Sequence, residues 1–200
     1  MLLARLGHRV TGYDIAPGML QRARTNRDAA GAGRDVPGVE LAESPAQDLP
    51  LADRTVDLVI SRMVFWALAD PVAALREWQR VLVPAGRIVV IDALHFEPPR
   101  TMPGRLRHHA GQLFWAALDR MDRLRNLGGT TAVAGRPPSP GVAWKSVDEP
   151  ASLFEKAGLT GVRVDWLDDV AEAQRRTAPL RWRIAGLLPR FYTLSWDAPA

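Results

Sequence analysis

Val81-Leu82-Val83-Pro84-Ala85-Gly86-Arg87-Ile88-Val89-Val90-Ile91-Asp92 reads as a helix end, a stop and a strand. Val72, Leu75, Trp78 and Leu82 share one helical stripe, and Asp70-Pro71 supplies a capping acid followed by a proline that suits a helix start. Pro84-Ala85-Gly86 stops that helix. Ile88-Val89-Val90-Ile91 is apolar without alternation, which predicts a strand buried on both faces, as in a parallel sheet.

The same alternation extends towards the N-terminus. Arg9-Val10-Thr11-Gly12-Tyr13 predicts a strand closing on Asp14, and Pro17 opens a helix with Met19, Leu20 and Ala23 on one face. The Gly31–Gly38 stretch predicts a loop, Val39-Glu40-Leu41-Ala42 a short strand, and Val56-Asp57-Leu58-Val59-Ile60 a stronger one. Strand, helix, strand, helix, strand means α/β with a mostly parallel sheet. The pattern breaks between residues 98 and 150, which predicts an insertion or substrate lid within a single domain of 1–200. It resumes with a helix at 151–157 stopped by Gly158, a strand at 161–166, a helix from about Val170 to Leu188, and a last strand at 191–196. That last strand is expected to be antiparallel.

Composition bounds the function. With 47% hydrophobic and 24% charged residues, the 200-residue chain can build a core, which argues against intrinsic disorder. No apolar run approaches the roughly 18 residues that a membrane span needs. The first nine residues are too short and too soon charged for a signal peptide. Cysteine is absent, which excludes a disulfide framework, a thiolate metal site and a cysteine nucleophile. A cytoplasmic address fits. The formal charge is +4, and all basic residues but Lys145 and Lys156 are arginine. That balance is open to two readings: an acidic or nucleic-acid partner, or the Arg, Ala, Gly and Pro codons of a GC-rich genome.

Asp14 stands at the carboxyl end of a strand just before a helix, where an acid can accept both hydroxyls of a ribose. Four stretches in order carry a family resemblance: Val10 through Leu20, Asp48-Leu49-Pro50, Val56 through Ser61, and Leu75 through Asp92. Together they resemble the class I S-adenosylmethionine-dependent methyltransferases, in the small-molecule group that includes quinone-biosynthesis enzymes. The resemblance implies a Rossmann-like sheet and S-adenosylmethionine as cofactor, with a methyl group passed to a small-molecule acceptor. It also implies roles at matching positions. Asp14 would hold the cofactor ribose, Ile15 and Met19 would pack near the adenine, and Ala46 and Gln47 would cup the adenine edge. Ser61 and Arg62 would line the methionine end, with Met63, Phe65 and Trp66 bordering cofactor and substrate. Core packing is the competing reading for Met19, Phe65 and Trp66.

Two departures stand against that pattern. The loop position where the family places an acid for the adenine amino group holds Pro45, beside Ser44 and Glu43. The family's first strand and its glycine-rich turn are unmatched, because Met1 through Leu6 corresponds to the end of the helix that follows them. Gly31-Ala32-Gly33-Arg34 is no substitute, since it follows a helix and lacks the third glycine. The expectation is an N-terminally incomplete methyltransferase-like domain. The strands ending at Asp14 and Ile60 would then lack the partner between them.

His95, four residues past the apolar run of its strand, is the candidate base, with a solvated loop histidine as the alternative. His108 and His109 sit among arginines and read as polar surface, and no spacing resembles a metal site. Two other functions remain open: a non-catalytic remnant acting as a binding protein, and a nucleic-acid methyltransferase. Ser61-Arg62-Met63-Val64 lacks the acid-or-Asn, Pro-Pro, aromatic pattern of enzymes acting on exocyclic base amines, and C5 methylation lacks its cysteine. Both facts lower the nucleic-acid reading.

Overall fold

The structure is a computed structural model that describes residues 2–31, 38–94, 144, 146–177 and 190–199. Residues 32–37 of the predicted loop, most of the predicted insertion and the second half of the predicted 170–188 helix lie outside these residues, and Gly31 ends a helix. The chain divides into two compact units, one of residues 1–59, 68–87 and 198–200, the other of 60–67 and 88–197.

In the first unit a short helix α1 (Leu2–Arg5) precedes strand β1 (Val10–Asp14), helix α2 (Pro17–Gly31) and strand β2 (Val39–Glu43). β1 and β2 pair in parallel, from Val10 opposite Val39 to Asp14 opposite Glu43. Of the apolar face expected on α2, Leu20 is buried, Ala23 is half-buried and Met19 is exposed. Helix α3 (Pro71–Val81) starts as its sequence predicts: the Asp70 carboxylate accepts the Ala73 N–H at 2.9 Å and Pro71 occupies the first turn. α3 buries Ala74, Leu75, Trp78 and Val81, spaced to share one face.

The helix ends earlier than Pro84-Ala85-Gly86. Strand β4 (Leu82–Leu94) begins directly after Val81, so Leu82 caps the helix and is not its last stripe residue. The backbone between is already committed to other partners, since Thr55 N donates to Val81 O at 2.8 Å. The surroundings of Gly86 leave no room for a side chain. A Cβ there would stand 2.8 Å from the Val83 carbonyl oxygen and 3.2 Å from that of Asp57. The Gly86 carbonyl accepts the Ala198 N–H at 2.8 Å, so the end of the described chain returns to this point.

The second unit holds the carboxyl-end parts of β3 (Val56–Arg62) and β4, with helix α4 (Asp148–Lys156), strand β5 (Arg163–Trp166), helix α5 (Asp168–Thr177) and strand β6 (Arg190–Asp197). The sheet order is β3-β4-β6-β5, which puts Ile88–Ile91 on an interior strand as expected. β5 and β6 are antiparallel, with Trp166 opposite Tyr192, so the expected antiparallel last strand is present. Gly158 stops α4 with φ +89°, the left-handed value that favours glycine. Ile88, Val90 and Asp92 alternate as fully buried residues, whereas Val89 and Ile91 are half-buried. The strand is therefore sealed on one face only, not on both as its sequence implies. Its uniform apolar run conceals a period of two.

Among the described residues β1 is hydrogen-bonded only to β2, and β3 only to β4. Neither strand pairs with the other. Both are poorly covered, and Leu58 and Ile60 of β3 are more than two-fifths exposed.

Candidate functional site

Asp14 ends β1 where the strand turns into α2. One carboxylate oxygen, Oδ1, accepts the Ala16 N–H at 2.8 Å, an Asx-type bond that shapes the turn before Pro17. The Asp14 carbonyl accepts the Ser44 N–H at 3.3 Å, so the ends of β1 and β2 and the start of the next loop lie together. Two large apolar side chains follow the acid. Ile15 is 67% exposed and Met19 56% exposed.

The loop after β2 carries Ala46 and Gln47, and helix α3 clamps it. Trp78 Nε1 donates to the Ala46 carbonyl at 3.0 Å. The Glu77 carboxylate accepts the Leu49 N–H at 2.7 Å, and Arg80 donates both to Glu77 at 2.7 Å and to the Leu49 carbonyl at 3.3 Å. Hydrogen bonding from Arg80 holds the Glu77 carboxyl below the usual range, with the Leu49 amide helping and burial opposing. Inside the loop, buried Ser44 donates its hydroxyl to the Asp48 carbonyl. Asp14, Ile15, Met19, Ala46 and Gln47 thus belong to one unit with a braced framework. Sequence reading placed Trp78 only as a core residue and missed Glu77 and Arg80. Their three-residue spacing on a helix was the available signal.

Ser61 and Arg62 lie in the second unit, at the end of β3. Ser61 is buried and Arg62 exposed, as strand alternation requires. Met63 follows with φ +57° and donates its N–H to the Ile91 carbonyl at 2.8 Å, before a short 3₁₀ turn at Phe65–Ala67. His95, the candidate base, lies outside the described residues, as do His108 and His109. Among the described residues no cluster of His, Asp and Glu could hold a metal ion. No helix among them is long and apolar enough to cross a membrane.

Asp92 went without a role in the sequence reading. It is fully buried on β4, with Oδ1 accepting the Ala93 N–H at 2.8 Å and Oδ2 without a partner among the described residues. Burial pushes its carboxyl up to about 6, against the pull of the Ala93 and Trp66 amides. Tyr192 on β6 is equally buried, its hydroxyl also lacks a partner among the described residues, and burial with the Asp92 charge pushes its phenol further up.

Comparison with known proteins follows the same lines. Residues 1–90 match the family described as a methyltransferase domain. The chain is 40% identical over 93 residues to the demethylmenaquinone methyltransferase of Thermus thermophilus, which covers 46% of this chain and 39% of that protein. The chain spans about two-fifths of the length of such curated relatives. By structure it is similar to the [4+2]-cyclase SpnF, with TM-score 0.56 and 16% identity over 100% of this chain and 69% of that one. It is also similar to an S-adenosylmethionine-dependent methyltransferase from Aquifex aeolicus, with TM-score 0.55 and 18% identity over 94% and 68%. These likenesses show the Rossmann-like α/β fold. The match over residues 1–90 makes that part of the chain similar to a methyltransferase domain, in line with the four sequence stretches.

Proposed function

We propose that the protein transfers a methyl group from S-adenosylmethionine to a small-molecule acceptor in the cytoplasm, without nucleic acid as partner. The observation that carries this reading is the Asp14 carboxylate at a strand end, flanked by the exposed apolar side chains of Ile15 and Met19. An adenosine has the matching chemistry: a pair of ribose hydroxyls to donate to the acid, and a flat base to cover apolar side chains. The donor set fits the cofactor.

Asp14 Oδ1 is oriented by the Ala16 N–H, which holds the carboxylate at the turn. Ile15 and Met19 supply apolar surface for the base. The Ala46–Gln47 loop, fastened by Trp78 and Glu77, supplies a pre-formed rim, and rigid positioning is what an in-line displacement most needs. When bound, the cofactor supplies an electrophilic sulfonium methyl. His95 is our candidate for removing a proton from an acceptor that must lose one.

The test is calorimetric titration of S-adenosylmethionine into the wild type and Asp14→Ala. Loss of a hydrogen bond to a charged group, roughly 1.5–3 kcal/mol, weakens binding about tenfold to a hundredfold. Equal affinity in the two proteins removes Asp14 from the site and takes away the main support for this function.

A further inference from the structure

Helix α3 grips the loop after β2 at two points. Trp78 Nε1 donates to the Ala46 carbonyl at 3.0 Å, and the Glu77 carboxylate accepts the Leu49 N–H at 2.7 Å. Trp78 is 4% exposed and lies on the buried face of α3 with Ala74, Leu75 and Val81. Side chains packed in this way have little freedom, so the loop is fastened to a rigid element.

The loop is also tied at its start. Ser44 donates its N–H to the Asp14 carbonyl at 3.3 Å, at the end of the strand that carries the candidate ribose acid. Within the loop, the Asp48 N–H reaches the Pro45 carbonyl at 3.2 Å and the Ser44 hydroxyl reaches the Asp48 carbonyl. Residues 44–49 are thus bonded at one end to β1, and at their middle and far end to α3. A loop that had to be ordered on binding would lose affinity to the entropy of that ordering. Here the ordering is complete on folding.

We propose that Glu77 and Trp78 are positioning residues for the nucleoside site: they fix the Ala46–Gln47 rim relative to Asp14 before a ligand arrives, and so set its affinity by acting through the loop. This role rests on the function proposed above. The two side chains hold different atoms. Glu77 takes a backbone donor, which a neutral amide oxygen can also do. Trp78 supplies an N–H that phenylalanine lacks.

The test is calorimetric titration of S-adenosylmethionine into the full chain and into Glu77→Gln, Glu77→Leu and Trp78→Phe, well below the melting temperature of each. Hydrogen exchange of the loop amides is followed in the same proteins. Glu77→Gln gives up the charge that pairs with Arg80 but keeps an oxygen for the Leu49 N–H. Its melting temperature should fall while its affinity stays within about twofold of wild type, a split that a purely structural role does not produce. Glu77→Leu and Trp78→Phe should each weaken binding about tenfold and speed exchange in the loop. If one of them fails to fold, the other carries the test. Wild-type affinity in a folded variant with a loosened loop, or Glu77→Gln binding as weakly as Glu77→Leu, overturns this role alone. Absence of binding by the wild type refutes the function proposed above, and this role with it.

Discussion

The Glu77 carboxylate accepts the Leu49 backbone N–H at 2.7 Å while also pairing with Arg80, so one side chain of α3 fastens the loop that carries Ala46 and Gln47. The acid is mostly buried, at 11% side-chain exposure. Breaking this contact strands the Leu49 amide and leaves Arg80 only its bonds to Asp53 and the Leu49 carbonyl.

Glu77→Ala is therefore expected to destabilise the protein by roughly 1.5–3 kcal/mol at neutral pH, measured by urea unfolding. The pH dependence has a definite sign. The folded carboxyl lies below its ordinary value of 4.5, so its contribution is complete above that value and disappears as pH falls through the folded pKa. Wild type and variant should differ at pH 7 and converge under acid conditions. A constant difference down to pH 2 would contradict the assignment.

Asp92 gives the opposite slope. Its folded carboxyl lies at about 6 against an ordinary 3.8, so the folded state binds the proton more tightly than the unfolded state. Stability contributed by this group falls as pH rises from about 4 to about 6, then levels off, with a full effect of about 3 kcal/mol. In Asp92→Asn this slope should vanish. Unfolding of both proteins across pH 4–7 checks it, and parallel curves would refute it.

Gly86→Ala tests the start of β4. The added Cβ meets the Val83 carbonyl oxygen at 2.8 Å and the Asp57 carbonyl oxygen at 3.2 Å, both backbone atoms with little freedom to move. The expected cost is about 1–3 kcal/mol, read as a lowered melting temperature. An unchanged melting temperature would mean that the backbone yields there.

Periodicity and local chemistry were enough to place the strands, the capped start of α3 at Asp70-Pro71, the Gly158 stop and the acid that ends β1. These are short-range effects: side-chain direction, a side-chain oxygen reaching an amide three residues on, and tolerance of positive φ. The bracing of the Ala46 loop was not legible there, because Leu49 and Glu77 are 28 residues apart and nothing local marks them as partners. The same holds for Asp92. Its burial depends on packing that also covers Tyr192, a hundred residues later. The uniform Ile88–Ile91 run could not reveal that one face is sealed and the other half-open, because coverage of a strand face depends on the neighbouring elements and not on the strand's own residues.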